Sequence, residues 1–263
     1  MTQAARQNPP ASSPAPAIEP LESFALTFFD AKRYPMDAAS AEAYRQHYET
    51  HHYVKFPGLL LGPGFSLLQQ EIFRLRECAF RRQFRMECMN NSPRQMSTLG
   101  GDGIEELSTL VPLLYSHPSL LRFLTHVAGA PVLPLTDIDR YVVNDLHQSG
   151  DTFGAHYDDY PISLVFLIEG APPEADGNVE MVPNAKSLDE LEGPDVTRLS
   201  LAAGDAYMLK SDTTAHRVAP LRGDFRRTAI NLAYSTEGFV PKFTESASLL
   251  YKKGYKRRNE SNE

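Results

Sequence analysis

The chain reads as an α+β, mainly β protein, with helices from its first half packed on one side of an antiparallel sandwich or barrel formed by its second half. Three observations carry that reading. Between about residues 38 and 128 apolar residues recur at spacings of three and four. From about 131 onward short β-forming runs are separated by Gly, Pro and Asp, and no helical segment falls between those runs. With 263 residues and neither an internal repeat nor a second linker, a single domain over 21–251 is expected, with a substantial core.

Residues 1–20 (MTQAARQNPPASSPAPAIEP) hold almost no large apolar side chain, so burial cannot offset the entropy of ordering them, and a disordered tail is expected. A helical scaffold follows over about 38–128. It comprises ASAEAYRQHYETHH, then the short strand YVKFPG, then SLLQQEIFRLRECAF, and then SHPSLLRFLTHVAG with Ser116 as its N-cap. The arginines Arg81, Arg82 and Arg85 are assigned to the solvated face of that scaffold, and NNSPRQMSTLGG to a loop. The β core, about 130–236, is built from VLPL, IDRYVVNDL, PISLVFLIE, NVEMV, TRLSL, DAYML, HRVAP and RRTAINLAYS. A charged tail, 252–263, ends the chain.

A formal net charge of -7 and a pI near 5.6 disfavour a general nucleic-acid surface, because phosphate binding depends on clustered Lys and Arg. Two cysteines, Cys78 and Cys88, do not make a disulfide framework, so a reducing cytoplasm is the expected setting. No run approaches the roughly 20 apolar residues of a membrane span, and the N-terminus lacks the apolar core of a signal peptide. The expected partner is a small molecule, with no nucleic acid and no membrane. The oligomeric state is open.

A His-x-Asp pair is weak evidence alone, since random placement of these histidines and aspartates would give roughly one pair in every two such chains. Context separates two candidates. His47 and Glu49 lie in a helical pattern, where residues two apart point in different directions. His156 and Asp158 stand at the head of the apolar run PISLVFLIE, read as the start of a strand, where residues two apart share a face and can converge on one ion. A third ligand is offered by His216, which follows the strand AYML and the polar stretch SDTTA. Two imidazoles and a carboxylate leave adjacent coordination positions open, a set suited to non-haem Fe(II) with dioxygen, with zinc as a chemical alternative.

Beyond His216 comes PLRGDFRRTAINLAYS. Arg227, Ala229 and Asn231 share one face of this strand and Arg226, Thr228, Ile230 and Leu232 the other. The first face is small and polar, as a cavity wall should be, which favours Arg227 over Arg226 as the guanidinium that forks onto a carboxylate. A bulge would reverse that choice.

Together His156, Asp158, His216 and the arginine pair resemble the Fe(II)- and 2-oxoglutarate-dependent dioxygenases over roughly 130–236. The phrases GNVEMVPN and GDAYMLKSDTTAHRV also look like that family's strands. The resemblance implies a double-stranded β-helix (jelly-roll, cupin-like) core. It implies Fe(II) and 2-oxoglutarate as cofactors with dioxygen as co-substrate, His156, Asp158 and His216 as metal ligands, and Arg227 or Arg226 as the anchor of the distal carboxylate of 2-oxoglutarate. Tyr141 and Asn144 would then stand beside the cofactor. HYDDYPISLVFLIE is more similar still to the branch of free-amino-acid hydroxylases and radical halogenases of lysine-like substrates. In those halogenases Gly replaces the metal-binding carboxylate, whereas this chain keeps Asp158, which implies oxygenation. The same likeness implies that Asp159 and Arg94 meet an amino-acid substrate; Asn231, on the small polar face with Arg227, is a further substrate contact, and Arg81, Arg82 and Arg85 are the fallback for the substrate's carboxylate. Strict alternation would turn Asp159 away from His156 and Asp158, and Arg94 reads equally as a loop charge. The expected activity is hydroxylation of an unactivated C–H bond of a free amino acid or derivative. Desaturation or oxidative ring closure by the same centre, a protein-modifying oxygenase, and a non-catalytic cupin-like binder are the alternatives.

Overall fold

The computed structural model of the protein describes residues 28, 29, 34, 37–240 and 246–251. Both expected tails, 1–20 and 252–263, lie outside the described residues. Helix α1 (Ala38–His51) starts where the Asp37 carboxylate accepts the Ser40 N–H and ends at His52 in the left-handed conformation. Strand β1 (Tyr53–Phe56) and helix α2 (Gly62–Arg76) follow, the latter opened by Pro63 in its first turn.

Here the structure departs from the sequence expectation. The stretch taken as helix end and loop is a hairpin of β2 (Phe80–Met86) and β3 (Ser92–Leu99). Arg81, Arg82 and Arg85 therefore stand on a strand, as does Arg94. The chain reverses through Asn90 and Asn91, both at positive φ, a conformation that Asn tolerates better than most residues. In this strand Arg82, Phe84 and Met86 turn to the more buried face and Gln83 and Arg85 outward, and the helix-forming residues of FRRQFRM are overridden by pairing with β3.

Helices α3 (Gly101–Leu107), α4 (Leu110–Tyr115) and α5 (Pro118–Ala128) complete the first half. The cap of α5 is His117, whose ring accepts the Ser119 N–H, while Ser116 closes α4 instead of opening α5. The second half contains β4 (Val132–Pro134), β5 (Tyr141–Leu146), β6 (Thr152–His156), β7 (Ile162–Glu169), β8 (Val179–Pro183), β9 (Thr197–Leu199), β10 (Ala206–Lys210), β11 (Thr214–Val218) and β12 (Arg227–Thr236). A last helix, α6 (Ser246–Tyr251), packs beside β3. The strand β6 was not read from the sequence, because TFGAH is short and lacks the apolar texture of its neighbours.

All strand pairs are antiparallel and join into one 12-stranded sheet in the order β1-β10-β7-β12-β5-β3-β6-β11-β8-β9, with β2 and β4 attached to β3 and β12. Strand β3 pairs with β5 through Ser97–Leu99 and with β6 through Arg94 and Gln95, so it carries the sheet around the bend between its halves. The result is the curled jelly-roll core with helices against one face. Strand β7 is apolar from Leu164 to Ile168 because both its faces are covered. Ile162, Leu164, Phe166 and Ile168 join the core shared with the helices, whereas Val165 and Leu167 line the inner cluster with Met181 and Leu209. Among the described residues, no helix is long and apolar enough to cross a membrane.

Candidate metal centre

His156 ends β6 and His216 sits within β11, and the two are direct cross-strand partners. Their ring centroids are 4.1 Å apart. Asp158 is not on a strand, as the sequence reading had it, but in the turn between β6 and β7. Its backbone N–H donates to Ser211 O at 3.0 Å, and this turn, not strand alternation, returns its carboxylate to the two rings. Oδ1 lies 3.5 Å from His156 Nε2 and Oδ2 lies 3.8 Å from His216 Nε2. These three residues form the one group among the described residues with metal-ligand spacing.

Each imidazole is oriented through its other nitrogen. His156 Nδ1 donates to Gly154 O at 2.8 Å and His216 Nδ1 donates to Thr214 O at 2.9 Å, which leaves both Nε2 lone pairs facing the carboxylate. Ser163 Oγ donates to Asp158 Oδ2 at 2.7 Å. Burial holds the His156 ring well below its ordinary pKa, with His216 and Arg94 adding to the effect, so it is neutral and fit to ligate. Burial raises the Asp158 carboxyl, and a bound cation would reverse that direction.

On the inner side of this cluster lies a cavity of about 610 Å³, open mouth included, walled by Asn144, Val165, Tyr207, Arg227, Ala229 and Asn231. Arg227 is 5 % exposed, and no ion pair or hydrogen bond to its side chain occurs among the described residues. Burial lowers its pKa, while the Tyr207 phenol beside it is pushed up to about 12, chiefly by its own burial. Arg226 points elsewhere: its guanidinium forks onto Asp145, 3.0 Å through each of Nε and Nη2, on the opposite face. Asn144 and Asn231 face the cavity, each with a buried Oδ1 that has no partner, and Asn231 donates to Tyr160 Oη at 2.6 Å. Tyr141 corrects the expectation of cofactor contact. Strand alternation turns it to the helical side, where it packs edge-on to Tyr115.

A second, smaller cavity opens on the outer side of the cluster, lined by Arg94, Asp139, Asp159, Tyr160, Ser246 and Tyr251 together with His156 and Asp158. Arg94 is 1 % exposed. Its Nη1 is held by Ser92 Oγ, Pro93 O and Gly154 O, its guanidinium lies 4.8 Å above the Phe153 ring, and its buried Nε has no partner. Desolvation lowers its pKa to about 10. Gly154 O thus accepts from both Arg94 and His156. A side chain at Gly154 would meet Pro93 O and Ser92 Oγ at 2.6 Å, so this close approach of β6 to β3 requires glycine. Asp159 accepts from Ser246 Oγ at 2.8 Å. His47, the expected decoy, lies on α1 with its ring tilted against that of His51, apart from the cluster.

Sequence reasoning missed Asp139, Tyr160, Tyr207 and Tyr251. Asp139 is 7 % exposed, and burial reinforced by Asp158, Asp137 and Asp159 pushes its carboxyl up to about 7. Tyr160 had a signal in its place two residues past Asp158. Tyr207 had one in its position on the face of β10 opposite Met208. Asp139 and Tyr251 had none, because each reaches the site from a segment with no patterned neighbours there.

The three donors have the spacing and chemistry of a divalent-cation site, and across the cavity Arg227 carries a buried positive charge with no acidic partner among the described residues. Among solved structures, the chain is similar to the epimerase SnoN in complex with Fe3+, alpha ketoglutarate and nogalamycin RO, at 17% identity and TM-score 0.61, over 81% of this chain and 90% of that one. It is similar to the carbocyclase SnoK from nogalamycin biosynthesis at 14% identity and TM-score 0.60, over 80% and 91%. A Pseudomonas putida prolyl-4-hydroxylase matches at 17% identity and TM-score 0.53, over 75% and 100%. No curated protein matches the sequence. The family model described as Halogenase D matches residues 36–247, which takes in the helical layer as well as the whole β core. The chain therefore belongs to the Halogenase D family and has the jelly-roll fold of the Fe(II)- and 2-oxoglutarate-dependent oxygenases.

Proposed function

We propose that the protein is a non-haem Fe(II)- and 2-oxoglutarate-dependent oxygenase that hydroxylates an unactivated C–H bond of a free amino acid or a close derivative. The observation that carries this reading is the His156–Asp158–His216 cluster facing, across one cavity, a buried guanidinium with no acid of its own. A charge left uncompensated in the interior is costly unless a ligand completes it. When bound, Fe(II), 2-oxoglutarate and dioxygen supply the oxidising chemistry.

The residues of this chain bind, orient and shield. His156, Asp158 and His216 would hold the metal, their rotamers fixed by Gly154 O, Thr214 O and Ser163 Oγ. Arg227 would anchor the distal carboxylate of 2-oxoglutarate, with Tyr207 and Asn144 beside it. Arg94 offers its free Nε edge to a substrate carboxylate, because Nη1 is already committed to protein acceptors. Asp139 and Asp159, on the same outer cavity, match a substrate ammonium, and Asn231 and Tyr160 stand between the two cavities. Tyr251 and α6 cover the outer cavity and limit water access. The family's descriptive name is a halogenation activity, but Asp158 fills the position that a halide would need. Hydroxylation is therefore the favoured outcome. The free Cys78 and Cys88 suit a cytoplasmic enzyme.

The test is anaerobic reconstitution with Fe(II), then succinate measurement and product mass against a panel of free amino acids, with chloride present. A product carrying one added oxygen is expected. Succinate at the uncoupled background with every amino acid would sink the substrate class, loss of two hydrogens would point to desaturation or ring closure, and incorporation of chlorine would overturn the role given to Asp158.

A further inference from the structure

Two metal ligands share one support, the turn between β10 and β11. Ser211 O in that turn accepts the Asp158 N–H, Ser211 Oγ donates to Tyr160 O at 3.0 Å, and Thr214 O accepts His216 Nδ1. The turn is held from behind by a residue remote in sequence. His52, buried at the end of α1, accepts the Lys210 N–H through its backbone O at 2.8 Å and brings its ring Nδ1 to 3.3 Å from Thr214 Oγ1. Asn184 Nδ2 faces His52 Nε2 at 3.3 Å, and the Asn184 N–H donates to Thr213 O at 2.9 Å. With Asn184 donating to Nε2, the hydrogen of the neutral ring sits on Nδ1 and points at Thr214.

The backbone does not account for an imidazole at this position. His52 caps α1 with φ of 63°, where glycine or asparagine is the ordinary solution. Burying a ring there costs desolvation, which its contacts with the turn offset. Its neighbours His47 and His51 are exposed and make no such contact.

We propose that His52 is a positioning residue of the metal centre, acting through Thr214 to fix the turn that orients His216 and Asp158. The inference rests on the metal-centre reading above. It is tested on the full chain with Co(II) as the probe, followed by its ligand-field absorption and by equilibrium dialysis. His52→Gly keeps the helix cap and removes only the ring. It is expected to fold, to bind Co(II) about tenfold more weakly and to shift the absorption bands, as loss of outer support does at other metal sites. His52→Asn, which tolerates the same backbone and restores a polar atom near Nδ1, should return affinity to within about threefold of wild type.

Thr214→Val provides the second arm, because it leaves α1 untouched. It should reproduce the loss, and the double variant His52→Gly/Thr214→Val should bind no worse than the weaker single variant, since one chain of contacts is removed. Fully additive losses would overturn the proposal, as would wild-type affinity and spectrum in His52→Gly alone. Wild-type affinity in both His52→Gly and His156→Ala would overturn the metal centre and the positioning role together.

Discussion

The two faces of β12 are built from adjacent residues yet obey opposite rules. On the helical face Ile230 and Leu232 lie in continuous apolar packing, and the polar groups that enter this side are paired: Arg226 forks onto Asp145, which also accepts from Thr228 Oγ1 at 2.8 Å. On the cavity face, among the described residues, Arg227 has no acidic partner and Asn231 keeps a buried carbonyl without one. Buried polar groups are almost always satisfied in a folded protein. A face where they are left open by design of the packing is therefore a face completed by something other than the chain. On the function proposed above, the contrast separates a residue that holds the fold, Arg226, from one that would hold a ligand, Arg227, though both are arginine and adjacent.

The strongest way to break the contrast is to remove its metal end. His156→Ala or His216→Ala should lower Fe(II) affinity at least about a hundredfold, because a three-ligand site cannot lose one member and keep its geometry. His47→Ala should leave iron content unchanged, which total-metal analysis of the three purified variants would read directly.

The arginine pair sharpens the comparison. Arg227→Ala should weaken 2-oxoglutarate by about 2 to 5 kcal/mol, measured as KM or by anaerobic titration, with no loss of thermal stability. Arg226→Ala should do the reverse: an unchanged KM and about 1 to 3 kcal/mol of lost stability, since buried Asp145 loses its fork. Reversed results would exchange the roles of the two residues.

A comparable split is expected one turn of the pleat further on. Ile230→Ala should cost about 2 to 5 kcal/mol in denaturant unfolding by leaving a cavity against the helices. Asn231→Ala should cost less, about 1 kcal/mol for the hydrogen bond that Nδ2 gives to Tyr160 Oη, because its Oδ1 has no partner among the described residues to lose, while raising the KM for substrate.

The smallest effect concerns Asp139. Its folded-state pKa, near 7, lies above its ordinary value of 3.8. The folded protein therefore binds the extra proton between those values, and the stability of the metal-free protein should fall as pH rises through that window and level off above it. Asp139→Asn should flatten this slope in urea titrations run across the same range. A slope that persists in the variant would assign it to other groups.

Much of this architecture was legible from local pattern. The change from helical to strand periodicity near residue 130 appears in the structure, as do the strands from β7 to β12 and the division of β12 into a polar and an apolar face. The β2–β3 hairpin was hidden because FRRQFRM consists largely of residues that also suit a helix, and only pairing with β3 decides between them. Strand β6 was hidden by its length. The meeting of His156 and Asp158 was anticipated for a reason that does not hold: a turn braced by Ser211 brings them together, not strand alternation. Tyr141 and Asn144 both precede the first ligand on one strand, but being three apart they lie on opposite faces, and only Asn144 reaches the cavity.

By itself, then, the sequence determined the chemical types available to the site, two histidines, an aspartate and a downstream arginine, and the order of elements that would carry them. Periodicity and turn chemistry act over a few residues and are written locally. Tertiary structure alone decided that, among the described residues, Arg226 has an acidic partner and Arg227 none, that Arg94 lies on a strand beside His156, that Asp139 and Tyr251 line the outer cavity, and that His52 reaches the turn behind His216. Each of those facts depends on the register between strands far apart in the chain. Register is fixed by the mutual burial of whole faces, which no short segment encodes.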